Sequence, residues 1–169
     1  YLPALPALEK VFATDAAGVQ LTLAVFFLGF ALGQTFFGPI LDRFGRKPPL
    51  YVSLTIYILA SVGCALAPSI EALAALRFAQ AVGACAGVVS SRAMVRDLFD
   101  PKESARVFSG LMLVMGVAPI LAPLIGGYVM AAFGLRAILW TLAFLGVLCM
   151  AGMALRLPET HRVSARRPL

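Results

Sequence analysis

The stretch GPILDRFGRKPPL, Gly38–Leu50, decides the fold. It sets Asp42, Arg43, Arg46 and Lys47 close together between two long apolar runs, with Gly and Pro at both ends. Four charges need water and their flanks avoid it, so here the chain leaves an apolar phase and re-enters it. Gly45 permits a tight reversal before Pro48 and Pro49, and Gly38 lets a neighbouring helix come close.

Composition says what that phase is. Of 169 residues, 61% are hydrophobic and 13% charged, against about 45–50% and about 25% in a soluble domain. Five runs, about 17–40, 49–67, 72–94, 106–131 and 136–156, reach the roughly 20 residues that a membrane-spanning helix needs. Ahead of them YLPALPAL reads as the last turns of another helix whose beginning is missing, with no basic n-region of a signal peptide. The expected fold is an all-α membrane protein, a helical bundle over residues 1–156. Residues 157–169 lose apolar periodicity and gain charge and Pro, as a cytoplasmic linker does.

The formal net charge of +6 does not point to nucleic acid, because the basic residues sit in the breaks between apolar runs and form no groove. Their distribution gives an orientation instead. Arg43, Arg46, Lys47, Arg92, Arg96, Lys102, Arg106, Arg156, Arg162, Arg166 and Arg167 fall on one side; Lys10 and Arg136 fall on the other, with Arg77 a turn or so inside a helix. The positive-inside rule makes the richer side cytoplasmic. Cys64, Cys85 and Cys149 lie in apolar runs without C-x-x-C spacing, which suggests packing and neither disulfides nor a metal site.

Three features carry chemistry. Asp42 stands near the end of its helix where the macrodipole is already negative, a placement disfavoured by about 0.3–1 kcal/mol, so it needs a partner. Arg43, Arg46 or the N-terminus of a helix outside this chain could serve. Arg77 lies inside the run EALAALRFAQAVGACAGVVSS, with Gln80 one turn on. A charge there costs about 2.5–3.5 kcal/mol and either marks a functional path or snorkels to the surface. Pro119 and Pro123 fall four apart in GVAPILAPLIGG, Gly116–Gly127, each removing a backbone hydrogen bond. With Gly116, Ala122, Gly126 and Gly127 beside them, a kinked and closely packed helix is expected. Small-xxx-small pairs occur at Gly29/Gly33 and Gly83/Gly87. Gln34, a polar group at membrane depth, either lines a pathway or hydrogen-bonds a neighbouring helix. GYVMAAFGLR, Gly127–Arg136, echoes GPILDRFGR, which fits a repeated three-helix unit.

GPILDRFGRK resembles the loop between helices 2 and 3 of the major facilitator superfamily, G-x-x-x-D-R-x-G-R-[KR]. The resemblance implies that fold: two inverted three-helix repeats making a six-helix half-bundle, here with its first helix truncated. It implies that Asp42 latches onto the second half, and that Arg43, Arg46 and Lys47 join Arg96 and Asp97 in a cytoplasmic charge relay. LAALRFAQAVGA is similar to the family's helix 4 motif, with Ala81 at a usual Gly, which ties Arg77 and Gln80 to proton coupling. GVAPILAPLIGG is similar to the helix 5 motif of drug antiporters, and its A-P-x-x-A-P-x-x-G-G form resembles the bicyclomycin-resistance (Bcr/CflA) subfamily. YLPALP, LGFALGQTFFGP and MVRDLF resemble the same subfamily. Gly29 and Gly33 would then suit packing against the second half, and Tyr1 and Gln34 would be possible pathway-lining residues.

The function implied is proton-coupled efflux of drugs or other small amphipathic compounds by alternating access, in a bacterial inner membrane. Its partners would be protons, the compound, the lipid bilayer and a second six-helix half, with no cofactor. An importer or uniporter of a small metabolite is the nearer alternative. An intramembrane serine protease fails on inventory, because His161 lies in the tail and Ser90 and Ser91 have no His at membrane depth.

Overall fold

The computed structural model describes residues 4–156, so Tyr1 and the tail from 157 lie outside the described residues. Every regular element among them is helical: α1 (Leu5–Val11), α2 (Ala16–Phe44), α3 (Lys47–Leu66), α4 (Ile70–Leu98), α5 (Pro101–Phe133) and α6 (Leu135–Arg156). The last five are long and apolar enough to cross a membrane. At 1.5 Å per residue the 29 residues of α2 and of α4 extend about 44 Å, beyond a hydrocarbon core of about 30 Å.

The connections are shorter than the apolar pattern predicts. Asp42 and Arg43 belong to α2, Arg96 and Asp97 to α4, and Lys102–Arg106 to α5. Hydropathy reports only the length in contact with lipid, whereas the backbone ladder continues until something stops it. Asp15 caps α2 by accepting from the Gly18 amide at 2.9 Å, and Ser69 caps α4 through the Ala72 amide at 3.2 Å. Pro101 opens α5 where its missing N–H costs nothing.

Two of the reversals repeat one conformation. Gly45, after Phe44, has φ 90° and ψ 177°; Gly134, after Phe133, has φ 81° and ψ −177°. This region is open to glycine almost alone. The Phe-Gly echo in the sequence is therefore a repeated turn, between α2 and α3 and again between α5 and α6.

Packing centres on α4, which lies against both α2 and α3, while α3 also packs on α6. The first contact corrects an expectation. Gly29 and Gly33 do not wait for a second half: a Cβ on Gly29 would sit 2.8 Å from the Phe78 carbonyl oxygen, and one on Gly33 would run into the Cys85 sulfur. On α4's other side, a Cβ on Gly83 would lie 2.6 Å from the Ser53 carbonyl oxygen and the Tyr57 nitrogen, whereas Gly87 meets open space. Missing side chains thus let the helix backbones approach, which drives helix association in lipid. One buried cluster, including Leu8, Val19, Cys64, Leu73, Leu135 and Leu139, closes one end of the bundle; another, with Phe37, Leu50, Cys85, Ala86, Met94 and Met153, lies toward the charged end.

The helix expected to be closely packed is the least covered. Of α5 only Ser104 is buried; Leu113, Ile120, Leu124 and Tyr128 are exposed, and both Gly116 and Gly127 face open space. Gly116 and Gly127 find no partner within the described residues. Despite Pro119 and Pro123, it runs as one helix of 33 residues.

Candidate functional site

Arg77 occupies the centre of the first site. It lies seven residues into α4, about 10 Å along the axis, and is 5% exposed. The side chain turns inward and does not snorkel. Its guanidinium carbon sits 4.3 Å from the centroid of the Phe26 ring on α2, and Nη1 donates to Gln80 Oε1 at 2.5 Å. A desolvated cation on an aromatic face gains about 2 kcal/mol or more, which offsets much of the cost of holding the charge at this depth. Gln80 Nε2 donates to Ser61 Oγ on α3 at 2.6 Å, and Ser61 Oγ donates to the Tyr57 carbonyl at 2.6 Å. The spacing in α4 pointed to Arg77 and Gln80. Phe26 and Ser61 carry no such signal, because their contacts run between helices.

The second site is the charged end. Arg46 follows Gly45 in the two-residue connection between α2 and α3, and its side chain is only 7% exposed. Nη1 donates to Asp42 Oδ1 at 2.7 Å; Nε donates to Asp97 Oδ2 at 2.8 Å, and Nη2 to Asp97 Oδ1 at 3.4 Å. Asp42 therefore finds its partner in Arg46, one turn on, and α4 is tied to the start of α3. Burial works against the Arg46 charge, but hydrogen bonds and charge attraction from Asp97 and Asp42 outweigh it and raise the pKa above the usual arginine value. The guanidinium is charged at any working pH.

Arg96 is exposed and joins no ion pair among the described residues. Arg43 lies over the Phe44 ring at 5.3 Å and Lys47 over the Tyr51 ring at 5.9 Å, as long cations do where an apolar phase meets water. Gly38 meets open space. Gln34 is half-buried on α2. Along α5, Pro119, Ala122 and Pro123 stand exposed between the open Gly116 and Gly127, with Gly126 beside them.

Between α3, α4 and α6 lies an open apolar cavity of about 480 Å³, lined by Leu50, Leu54, Tyr57, Met94, Met153 and Ser90 among others. The Ser90 hydroxyl is buried and makes no hydrogen bond among the described residues. Cys149 also faces this cavity; Cys64 and Cys85 are buried, and all three thiols are free.

Residues 1–168 match the family described as Major Facilitator Superfamily. Among similar proteins are a Bacillus subtilis protein named as an uncharacterized MFS-type transporter, YdgK, 40% identical over 99% of this chain, and a bicyclomycin resistance protein homolog of Haemophilus influenzae, 37% identical over the whole chain. A chloramphenicol resistance protein of Pseudomonas aeruginosa is 39% identical over 91% of it. The match takes up 42%, 42% and 36% of these relatives, so the chain spans about two-fifths of their length.

Proposed function

Because the chain belongs to the major facilitator superfamily, we propose that it forms one half of a proton-coupled exporter of small amphipathic compounds. A second six-helix bundle completes the path, and the two rock about the compound by alternating access. The buried Arg77 carries this reading: a permanent charge held at membrane depth by Phe26 and Gln80 is of the kind that marks a functional path. In the proposal it tunes a proton-accepting carboxylate outside the described residues. The names of the relatives from Haemophilus and Pseudomonas favour antibiotics as the class of compound.

The charged end is the proposed gate, on the cytoplasmic face of a bacterial inner membrane. Arg46 holds α3 and α4 together, and Asp42, 57% exposed, keeps a free oxygen surface for the second bundle. Gly38 and the open Gly116–Gly127 face of α5 are where that bundle approaches. Supporting this, these small residues have open space in front of them while Gly29, Gly33 and Gly83 do not.

The test uses the complete reading frame in everted vesicles carrying a pH gradient followed by a fluorescent probe. Chloramphenicol, bicyclomycin and cationic antibiotics are added in turn. Gradient collapse that depends on the compound and is lost in Arg77→Ala is the expected outcome. No collapse with any of them, from protein verified as inserted, overturns proton-coupled export in favour of a uniporter or importer.

A further inference from the structure

We infer that Ser61 is a positioning residue for Arg77, an α3 hydroxyl that fixes which end of the Gln80 amide the guanidinium meets. The inference rests on the role proposed above for Arg77. It follows from the polarity of the chain of hydrogen bonds. A hydroxyl has one proton, and Ser61 commits it to the Tyr57 carbonyl at 2.6 Å. Toward Gln80 it then offers only lone pairs, so the amide must present its donor end, Nε2, which sits 2.6 Å away. The acceptor end is thereby left for Arg77, and Oε1 meets Nη1 at 2.5 Å.

The reversed amide is excluded on both sides. It would set N–H against N–H at Arg77, and Ser61 would have to abandon the Tyr57 carbonyl. Gln80 is 1% exposed and Ser61 is fully buried, so bulk water reaches neither place. Without the hydroxyl, the amide has a buried donor with nothing to bond, and the cation alone is left to hold its oxygen in place. Because Ser61 belongs to α3 and Arg77 to α4, the same bonds tie the aim of the charge to the fit between two helices.

The complete transporter in everted vesicles tests this, with whichever of the named antibiotics the wild type exchanges for protons, comparing Ser61→Ala, Ser61→Thr, Gln80→Ala, the Ser61→Ala/Gln80→Ala double variant and Arg77→Ala at equal inserted amounts. Ser61 cannot touch the compound, so Ser61→Ala should lower kcat at least tenfold and change KM less than twofold. Ser61→Thr, which keeps the hydroxyl, should retain at least half the wild-type rate. The double variant should be no slower than Gln80→Ala, because both changes break one chain. A Ser61→Ala rate within twofold of wild type while Arg77→Ala abolishes exchange overturns the inference, as do additive losses in the double variant. If Arg77→Ala also exchanges normally, it is the proposed role of Arg77 that fails. Should Ser61→Ala not insert, Ser61→Cys, a weak acceptor of similar size, replaces it, and a wild-type rate there is likewise contrary.

Discussion

Arg46 Nε donates to Asp97 Oδ2 at 2.8 Å across 51 residues of sequence, joining the turn before α3 to the last turn of α4. The two carboxylates around this guanidinium are not equivalent. Asp97 is 21% exposed and accepts two of its hydrogen bonds; Asp42 is 57% exposed and accepts one. Asp97→Asn should therefore cost the folded bundle about 1–3 kcal/mol by leaving a buried cation short of a charged partner. Asp42→Asn should cost under about 1 kcal/mol, as for an exposed pair, yet cripple transport if Asp42 latches the second bundle. Thermal midpoints in detergent and exchange rates in vesicles together check this; equal midpoint losses, or normal exchange in Asp42→Asn, would count against it.

The turn that holds Arg46 depends on Gly45. Its φ of 90° and ψ of 177° lie where a Cβ costs about 1–3 kcal/mol. Gly45→Ala should lower the thermal midpoint and loosen the Arg46–Asp97 pair, whereas Gly38→Ala, with open space before it, should leave the midpoint within a degree or two. Melting both variants settles the order, and a larger loss at Gly38 would contradict it.

Close helix contact supplies the third prediction. Gly83→Ala must push α3 backbone aside, since its Cβ would lie 2.6 Å from Ser53 and Tyr57 backbone atoms, at a cost of about 1–3 kcal/mol. Gly87→Ala, on the same small-xxx-small pair, meets nothing and should be neutral. Comparable stability of the two variants would mean that α3 and α4 do not approach as closely as described.

Much of this was legible in the chain itself. Apolar length located the five spanning helices, and the charge cluster marked one turn between them. Arg77 and Gln80 share a helix, so their spacing alone brought them together. What spacing cannot say is which neighbour a face meets. Gly29 and Gly33 announced a close approach, but whether to α4 or to another bundle depends on side chains such as Cys85 more than 50 positions away. The same holds for α5, whose Gly116, Pro119, Pro123 and Gly127 promise packing, yet both glycines face open space and both prolines are exposed. Phe26 and Ser61 were invisible for this reason: one is a phenylalanine among several, the other a serine among small residues, and only the assembled bundle sets them around Arg77.

That assembly makes Phe26 the place to test whether the ring, as distinct from its bulk, holds the charge. The guanidinium lies 4.3 Å from the ring centroid, and Phe30 stacks on the same ring at 6.4 Å with an interplanar angle of 12°. Phe26→Leu keeps the apolar volume nearly constant but removes the quadrupole, so about 2 kcal/mol of stabilisation should vanish. Phe26→Trp offers a stronger π face, though in more volume. If the ring holds Arg77, insertion should persist in both variants, with exchange falling about tenfold in Phe26→Leu and surviving better in Phe26→Trp. Equal rates in Leu and Phe would mean that packing alone suffices, and that the Gln80 amide carries the charge by itself.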